Sequence, residues 1–334
     1  MYLIMYFKNI FFITVFFISI SSFSQEGLAV YSDYLSDNYY LIHPSMAGAA
    51  NCDKIRLTVR KQWFDQEKAP GLQTLSYNTR VGERSGTGVI LFNDQNGYHS
   101  QKGAKLTFAH HIMFSRDEID LNQLSFGINA GFIQTQLDQT GFLEGGIIDP
   151  IIDGSIQNET YANFDIGASY NFLNMYAHVT IKNVLETRRK IYTEFETDNL
   201  RKYLLSSGYI FGDRDDVLWE PSVLLQFTEK SKEKLVDVNL KAYKNFDNGM
   251  LWGGLSYRTD LGFESNVFKK NPSQKLQYIT PIVGINYKNL MFAYTYSAVS
   301  GDFKTDIGAF HQITLGINLS CRKEKYDCNC FGVN

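Results

Sequence analysis

Apolar and polar residues alternate along most of this chain, and this alternation restricts the fold more than any other feature of the sequence. In the stretch 162–172, the apolar positions are Ala162, Phe164, Ile166, Ala168 and Tyr170. The residues between them, such as Asn163, Asp165 and Ser169, are polar or small. Because successive side chains of a β-strand point to opposite faces, the stretch predicts a strand with one lipid-compatible face and one wet face.

Fourteen runs of this kind follow one another, and helical spacing fits almost nowhere between them. The predicted strands are 54–63, 72–80, 86–93, 104–114, 121–133, 162–172, 175–182, 201–210, 217–227, 234–244, 250–258, 276–287, 290–299 and 310–320. Candidate lumen-side positions such as Lys182, Lys202, Gln226 and Arg258 indicate a polar interior.

The connections between these strands alternate in length. Long connections such as 94–103 and 134–161 alternate with tight ones such as VGER (81–84) and FL (172–173), and 228–233 is a short member of the long set. Long loops on one side and tight turns on the other are typical of a transmembrane β-barrel, with the tight turns in the periplasm. The fold class is therefore all-β, an antiparallel barrel of about 14 strands with both chain ends periplasmic. A secreted β-sandwich is the alternative.

The start of the chain indicates export. Residues 1–24 carry one cation, Lys8, then an apolar run and the small-residue pattern Ser22-Phe23-Ser24, which predicts a cleaved signal peptide. An uncleaved anchor is the alternative, although the run is short for a membrane span. We expect a signal peptide at 1–24, a periplasmic lead-in at 25–53, an outer-membrane barrel at 54–320 and a Cys-containing periplasmic tail at 321–334.

Composition fits a membrane barrel and excludes one class of partner. Aromatic residues make up 15% of the chain and collect near predicted strand ends, as an interfacial girdle would, although Phe and Tyr are also good strand residues. The net charge is −3, so no basic surface points to nucleic acid. The expected surroundings are outer-membrane lipid.

Histidines and acidic residues offer only weak signs of chemistry. His110 and His111 are adjacent, so in a strand they face opposite sides and cannot share a metal. His99 lies in a predicted outer loop close in sequence to Asp94, but no third group completes a catalytic set. We expect no enzymatic activity, no metal and no cofactor.

Two loop motifs also have simpler explanations. The segment GERSGTG (82–88) lacks the Gly-Lys-Ser/Thr of a phosphate loop, so turn glycines explain it. Asp149 and Asp153 could form a calcium pair, but a solvated loop explains them better.

All four cysteines fall at the predicted periplasmic end. Cys52 precedes the first strand, and Cys321, Cys328 and Cys330 follow the last. An oxidising compartment permits disulfides, so we expect at least one bond from Cys52 to the tail. Cys52 and Cys321 would be neighbours if the first and last strands close the barrel. A zinc site and free thiols are the alternatives.

The stretch DNYYLIHPSMAGAANC (37–52) is too aromatic to remain free in water. It leads from the predicted signal peptide into the first strand, and it should pack on the lumen wall or on a partner protein.

Several residues of this part of the chain also form a recognisable pattern. They are Asn38, Ile42, Pro44, Ala47, Gly48, Arg60, Gln62, Trp63, Ala69 and Pro70, followed by LQTLSYN and the Asp-x-x-Gly stretch from Asp94 to Gly97. With this pattern the mature chain resembles the PorP/SprF family of type IX secretion system outer-membrane proteins of Bacteroidota. The cysteine-rich tail departs from the family pattern.

The resemblance implies a function. Family members help to export or anchor substrates such as gliding adhesins, which they recognise through C-terminal signal domains, and they associate with periplasmic ring components of the machine. Candidate partner-binding residues are Asn38, Tyr39, Tyr40, Pro44, Gly48, Trp63, Asp94 and Gly97. A passive channel or uptake barrel for a small ligand is the alternative function.

Overall fold

The computed structural model of the protein describes most of the chain after the predicted signal peptide. The described residues are 35–62, 69–115, 120–140, 154–187, 200–261, 277–300, 309–322 and 332–333. The predicted signal peptide, Trp63, Asp149, Asp153, Cys328 and Cys330 lie outside them. Within the described ranges, no helix is long and apolar enough to cross a membrane.

The strands of the described residues form one sheet. Its strands are β1 (Asp53–Gln62), β2 (Gly71–Val81), β3 (Ser85–Asn96), β4 (His99–Met113), β5 (Asn122–Asp138), β6 (Ile156–Phe172), β7 (Met175–Lys182), β8 (Lys202–Tyr209), β9 (Phe211–Gly212), β10 (Leu218–Thr228), β11 (Lys234–Phe246), β12 (Gly249–Asp260), β13 (Gln277–Tyr287), β14 (Leu290–Ser300) and β15 (Phe310–Leu319). The two-residue β9 resumes β8 after a break at Ile210, and both pair with β10. The two therefore occupy one position, which leaves fourteen strand positions.

Each strand pairs antiparallel with its neighbours in sequence, and β1 pairs with β15 to close the sheet. At this seam Leu57 lies opposite Leu315 on one side and Leu75 on the other, and all three side chains are exposed. The apolar outer band thus continues across the closure. The predicted fourteen-strand antiparallel barrel is confirmed.

The two faces of the strands also agree with the sequence pattern. In β6, Ile166 is 38% exposed on the outside, whereas Asn163 and Asp165 are 2% and 1% exposed on the inside. Most buried positions of the strands carry Ser, Thr, Asn, Gln or charged side chains. The barrel therefore has an apolar exterior and a polar lumen, the arrangement of a membrane barrel.

The prediction of a long loop at 94–103 is wrong. β3 continues to Asn96 and β4 starts at His99, so the connection is a two-residue turn in which Gly97 has φ 63°. His99 accordingly lies in a strand and not in an outer loop. This hairpin is polar on both faces, so hydropathy alternation does not reveal it, although Gly97 at the first turn position is a residue that two-residue hairpin turns favour.

The predicted loop at 134–161 is likewise too long, because β5 runs to Asp138 and β6 starts at Ile156. Each of these strands has 17 residues. About 9–11 residues suffice to cross a bilayer, so this hairpin projects beyond the membrane. We call this end of the barrel the long-loop end. The other end carries the turns 82–84, 173–174, 247–248 and 288–289, and we call it the tight-turn end.

Candidate functional site

The lumen at the tight-turn end is filled by residues 35–51, which we call the lead-in. The lead-in contains two short 3₁₀ turns, Tyr39–Leu41 and Pro44–Met46, and no residue of 35–51 belongs to the sheet. Nearly every lead-in side chain is buried. Of the two packing surfaces that the sequence allowed, the lumen wall is the one that this segment contacts.

The first anchor of the lead-in is a buried acid, Glu220 in β10. Its Oε1 accepts hydrogen bonds from the hydroxyls of Tyr39 (2.9 Å) and Tyr176 (2.6 Å), and its Oε2 accepts one from Tyr243. The ammonium of Lys241 lies 3.0 Å from the same carboxylate. Burial raises the pKa of Tyr39 well above its usual value, so its hydroxyl remains a donor. We call these five residues the Glu220 cluster.

A second anchor joins Tyr40 to an ion pair in the wall. The Tyr40 hydroxyl lies 2.6 Å from Oγ1 of Thr107, which donates to Oδ1 of Asn129. Asn129 in turn donates to Asp165, which is 2.7 Å from Nζ of Lys105. Because the Thr107 proton is used toward Asn129, Tyr40 is the donor to Thr107.

A third anchor is His43, which is fully buried. Its Nδ1 lies 2.8 Å from the hydroxyl of Thr180, and its Nε2 lies 3.0 Å from the hydroxyl of Ser206. The ring also packs on His178 at a centroid distance of 4.8 Å. Burial, reinforced by the nearby His178 ring and the charge of Lys182, lowers the pKa of His43 well below its usual value. His43 is therefore neutral when the lead-in is in place.

Glycines in the wall make room for the lead-in backbone. A Cβ on Gly127 would lie 2.5 Å from the carbonyl oxygen of Pro44, and one on Gly167 would lie 3.2 Å from the Pro44 ring. A Cβ on Gly86 would overlap the carbonyl of Ala47. Real Cβ atoms do not come as close as those on Gly86 and Gly127 would, so only glycine allows the wall to accept the lead-in there, and Gly167 leaves little room for a side chain. Gly86, Gly127 and Gly167 form what we call the glycine socket.

The end of the lead-in is fixed through its backbone. Arg80 donates from Nε to the carbonyl of Gly48 (2.9 Å) and from Nη2 to that of Ala49 (2.6 Å). Nε2 of His111 lies 3.1 Å from the carbonyl of Ala47, which makes this nitrogen the protonated one. Gly48 has φ +65° and approaches the backbone of Thr79, so both its conformation and its space require glycine.

Three ion pairs, each with a buried acid, line the lumen of the described barrel. Besides Lys105–Asp165 and Lys241–Glu220, Nε of Arg258 lies 2.6 Å from Asp237 in β11. Buried pairs of this kind are costly to break, because removal of one partner leaves an uncompensated charge. In the described residues, no group of three or more His, Cys, Asp or Glu side chains could hold a metal ion.

The structure separates the predicted partner-binding residues into two groups. Asn38, Tyr39, Tyr40, Pro44 and Gly48 lie together in the lead-in, where Asn38 donates to Ser76 of β2. Asp94 and Gly97 lie in the β3–β4 hairpin at the long-loop end. The side chains of the first group are enclosed by the barrel, so they face the lumen wall and not the solvent.

The cysteines that the structure describes lie next to this site. Cys52 and Cys321 form a disulfide, with 4.1 Å between their Cα atoms. The bond joins the residue before β1 to the second residue after β15. It therefore fixes the point where the lead-in enters the sheet.

Sequence reasoning did not find the wall residues that hold the lead-in. Arg80, Glu220 and the glycine socket carry no local motif, because their partners are more than 30 residues away in sequence. One signal was available. Glu220 is the one charged residue of β10, and a charged residue that is buried usually has a dedicated partner.

A closed antiparallel sheet, an apolar exterior, a polar lumen and a folded-in lead-in define this protein as an outer-membrane β-barrel. The family model for the type IX secretion system membrane protein PorP/SprF matches residues 23–317, and the chain belongs to this family. No curated protein matches the chain.

Solved outer-membrane barrels share the fold. The deltaS2 mutant of the TodX monoaromatic hydrocarbon channel is 10% identical, with a TM-score of 0.50 over 83% of this chain and 92% of that chain. The deltaS2S3 mutant is also 10% identical, with a TM-score of 0.50 over 84% and 93%. The Pseudomonas putida toluene transporter TodX is 10% identical, with a TM-score of 0.45 over 89% and 98%. At such identities the likeness to the two mutant channels concerns the fold alone.

Proposed function

We propose that this barrel is a non-enzymatic component of the type IX secretion machinery that binds the C-terminal domain of a cognate exported protein, such as a gliding adhesin. In this role it helps to export or anchor that protein. The observation that carries the proposal is the lead-in, which fills the lumen at the tight-turn end through buried contacts. A lumen filled in this way suits a protein that holds a partner better than one that conducts solutes.

The proposed orientation places the tight-turn end in the periplasm, as in other outer-membrane barrels. The lead-in, β1 and β15 all meet at this end. Exported proteins and the periplasmic ring components of the machine would arrive from the same side. The lead-in and the surrounding barrel mouth are therefore the first surfaces that a partner meets.

The contacts of the lead-in also suit an exchange with a partner. Tyr39, Tyr40, His43 and Ser45 bond to wall side chains, and the lead-in forms no strand ladder with the wall. It could leave its place without breaking the sheet. We therefore propose that the partner contacts the mouth and competes with the barrel for the residues at 38–48.

The contacts of the histidines and buried acids also support a non-enzymatic role. His110 is exposed on the outer face, and His111 is buried on the inner face, where it bonds to Ser125 and Ala47. The buried acids Asp165, Glu220 and Asp237 each have a cationic partner. These groups are engaged in structural bonds and do not form a nucleophile–base pair.

The decisive experiment is deletion of the gene followed by surface proteomics. One cognate adhesin should be lost from the cell surface while other type IX cargo is still exported. Full-length protein should restore the adhesin and co-purify with it after crosslinking. A variant that lacks residues 28–50 should insert into the outer membrane but fail to restore display.

A passive channel is the competing function, because the lumen wall is polar. Purified barrel in planar bilayers should conduct ions poorly if the lead-in closes the lumen. An unchanged surface proteome in the deletion strain, together with steady conductance of the purified barrel, would replace our proposal with the channel.

A further inference from the structure

A cavity of about 100 Å³ lies at the tight-turn end, on the wall opposite the glycine socket. It is bounded by residues of β1, β11, β12, β13 and β15 and by the start of the lead-in. Leu35, Met250 and Trp252 give it an apolar lining. A cavity needs about 10–15 Å³ to hold one water molecule, so this space has room for several waters or for the ends of one or two side chains.

The polar groups of the cavity are mostly donors. Oδ1 of Asn286 accepts from Nε1 of Trp252 (3.2 Å), and Oδ1 of Asn318 accepts from Nη2 of Arg56 (2.9 Å). Each amide oxygen is thus used, and the NH₂ groups of Asn286 and Asn318 have no hydrogen-bond partner among the described residues. Both asparagines line the cavity. An acceptor-rich group would satisfy them.

The charges around the cavity favour an anion. Lys54 and Lys241 line it, and the guanidinium of Arg56 lies behind Asn318. Two described acids lie near these three cations. Asp37 is in the lining, and Glu220 lies behind Lys241. Asp37 lies 3.4 Å from Lys54, and the hydrogen bonds of Arg56 go to the carbonyls of residues 55 and 317 and to Asn318. Within the part of the chain that the structure describes, one positive charge of this group therefore has no matching acid.

We propose that this cavity receives an acidic side chain of a partner polypeptide, with an adjacent apolar residue of the partner against Met250 and Trp252. The carboxylate takes the two asparagine NH₂ groups as donors and balances the remaining positive charge. That the partner is a polypeptide rests on the proposed function. That the bound group is a carboxylate rests on the cavity alone.

The test uses the full chain, purified in detergent, with Trp63→Phe and Trp219→Phe so that Trp252 is the remaining tryptophan of the three. The probes are acetyl-Leu-Glu-amide and acetyl-Leu-Gln-amide, which have nearly the same size and differ in charge. The Glu peptide should change Trp252 fluorescence saturably, and the Gln peptide should bind at least about tenfold more weakly. Equal binding of the two peptides, or binding of neither, would overturn the inference.

The matched variant is Asn318→Asp, which keeps an acceptor for Arg56 but replaces a donor with a negative charge. This variant should weaken binding of the Glu peptide by at least about tenfold. Asn122→Asp is the control, because Asn122 accepts from Tyr170 at the same end of the barrel and lies outside the cavity. An unchanged affinity in Asn318→Asp, or free acetate binding as tightly as the peptide, would also contradict the inference.

These results are distinguishable from a failure of the proposed function. Adhesin display in the deletion strain does not depend on the peptide measurements. If display is lost but the Glu peptide does not bind, the partner uses another surface of the barrel. If display is intact and the peptide binds, the cavity serves a partner other than an adhesin.

Discussion

The hydroxyl of Tyr39 lies 2.9 Å from Oε1 of Glu220, although the two residues are 181 positions apart in the chain. This bond joins the lead-in to the far wall of the barrel. The acid also carries the charge that balances Lys241, whose side chain is 3% exposed. One buried carboxylate therefore supports both the lead-in and the wall.

Replacement of this acid should destabilise the protein. Glu220→Gln leaves Lys241 buried without a counter-charge, and removal of one partner of a buried pair costs about 3–5 kcal/mol. Urea unfolding of barrel refolded into lipid vesicles measures the change. Glu229→Gln is the control, since its pair with Arg201 is largely exposed and should contribute about 0–1 kcal/mol. Equal losses in the two variants would contradict the importance of the Glu220 cluster.

A methyl group in the glycine socket should expel the lead-in. In Gly127→Ala the new Cβ would overlap Pro44, and overpacking of this kind costs about 1–3 kcal/mol. Chymotrypsin should then cleave at Tyr39 or Tyr40 about tenfold faster than in the wild type, because the open form is more populated. Gly71→Ala is the control. Its new Cβ would lie 3.3 Å from the carbonyl oxygen of Arg60, so the cleavage rate should barely change.

A charge on the outer face should be tolerated according to its depth. Ile166→Lys places a cation on the lipid side near the middle of β6, at a cost of about 2–4 kcal/mol. Ile156→Lys changes the same residue type on the same face at the long-loop end of the strand, where the cost should be about 0–1 kcal/mol. Refolding yield and urea midpoints compare the two. If both variants refold alike, the membrane position of β6 is wrong.

Acid should loosen the lead-in. The pKa of His43 is lowered in the docked lead-in and returns toward about 6.5 when the segment leaves the wall, so the released state binds more protons. The contribution of His43 to docking is therefore complete above about pH 6.5. It decreases as the pH falls below this value, by about 1.4 kcal/mol per unit.

Chymotrypsin cleavage at pH 7.5 and pH 5.5 measures this effect. The wild type should be cleaved about tenfold faster at the lower pH after correction for protease activity. His43→Asn should lose part of this difference, with the remainder due to other groups such as His111 and His178. The same pH dependence in both proteins would exclude His43 as its source.

The sequence predicted the barrel because its main signal, the alternation of apolar and polar residues, is local. Ile166 and Asn163 lie on the faces that their positions in the stretch 162–172 imply. This alternation does not predict a strand where both faces of the strand are polar. The hairpin around Gly97 is polar on both faces, so the alternation predicts a loop there although the residues form strands.

The site was harder to predict, because it depends on residues that are distant in sequence. The aromatic lead-in indicated that Tyr39 and Tyr40 must pack on something, but no local pattern identifies Glu220 or Thr107 as their partners. Wall glycines such as Gly127 look like ordinary strand glycines until the path of Pro44 is known. A role in partner binding stays a prediction for all eight candidates, which are Asn38, Tyr39, Tyr40, Pro44, Gly48, Trp63, Asp94 and Gly97.

The Cys52–Cys321 disulfide sets the geometry of any movement of the lead-in. The bond fixes Cys52, the residue that directly follows the lead-in. A released lead-in therefore pivots at Cys52 and cannot slide along the lumen. Fully extended, residues 35–51 span at most about 60 Å. The tethered segment thus reaches any point within a hemisphere of that radius beneath the barrel. A partner that binds the segment there would be held close to the barrel mouth.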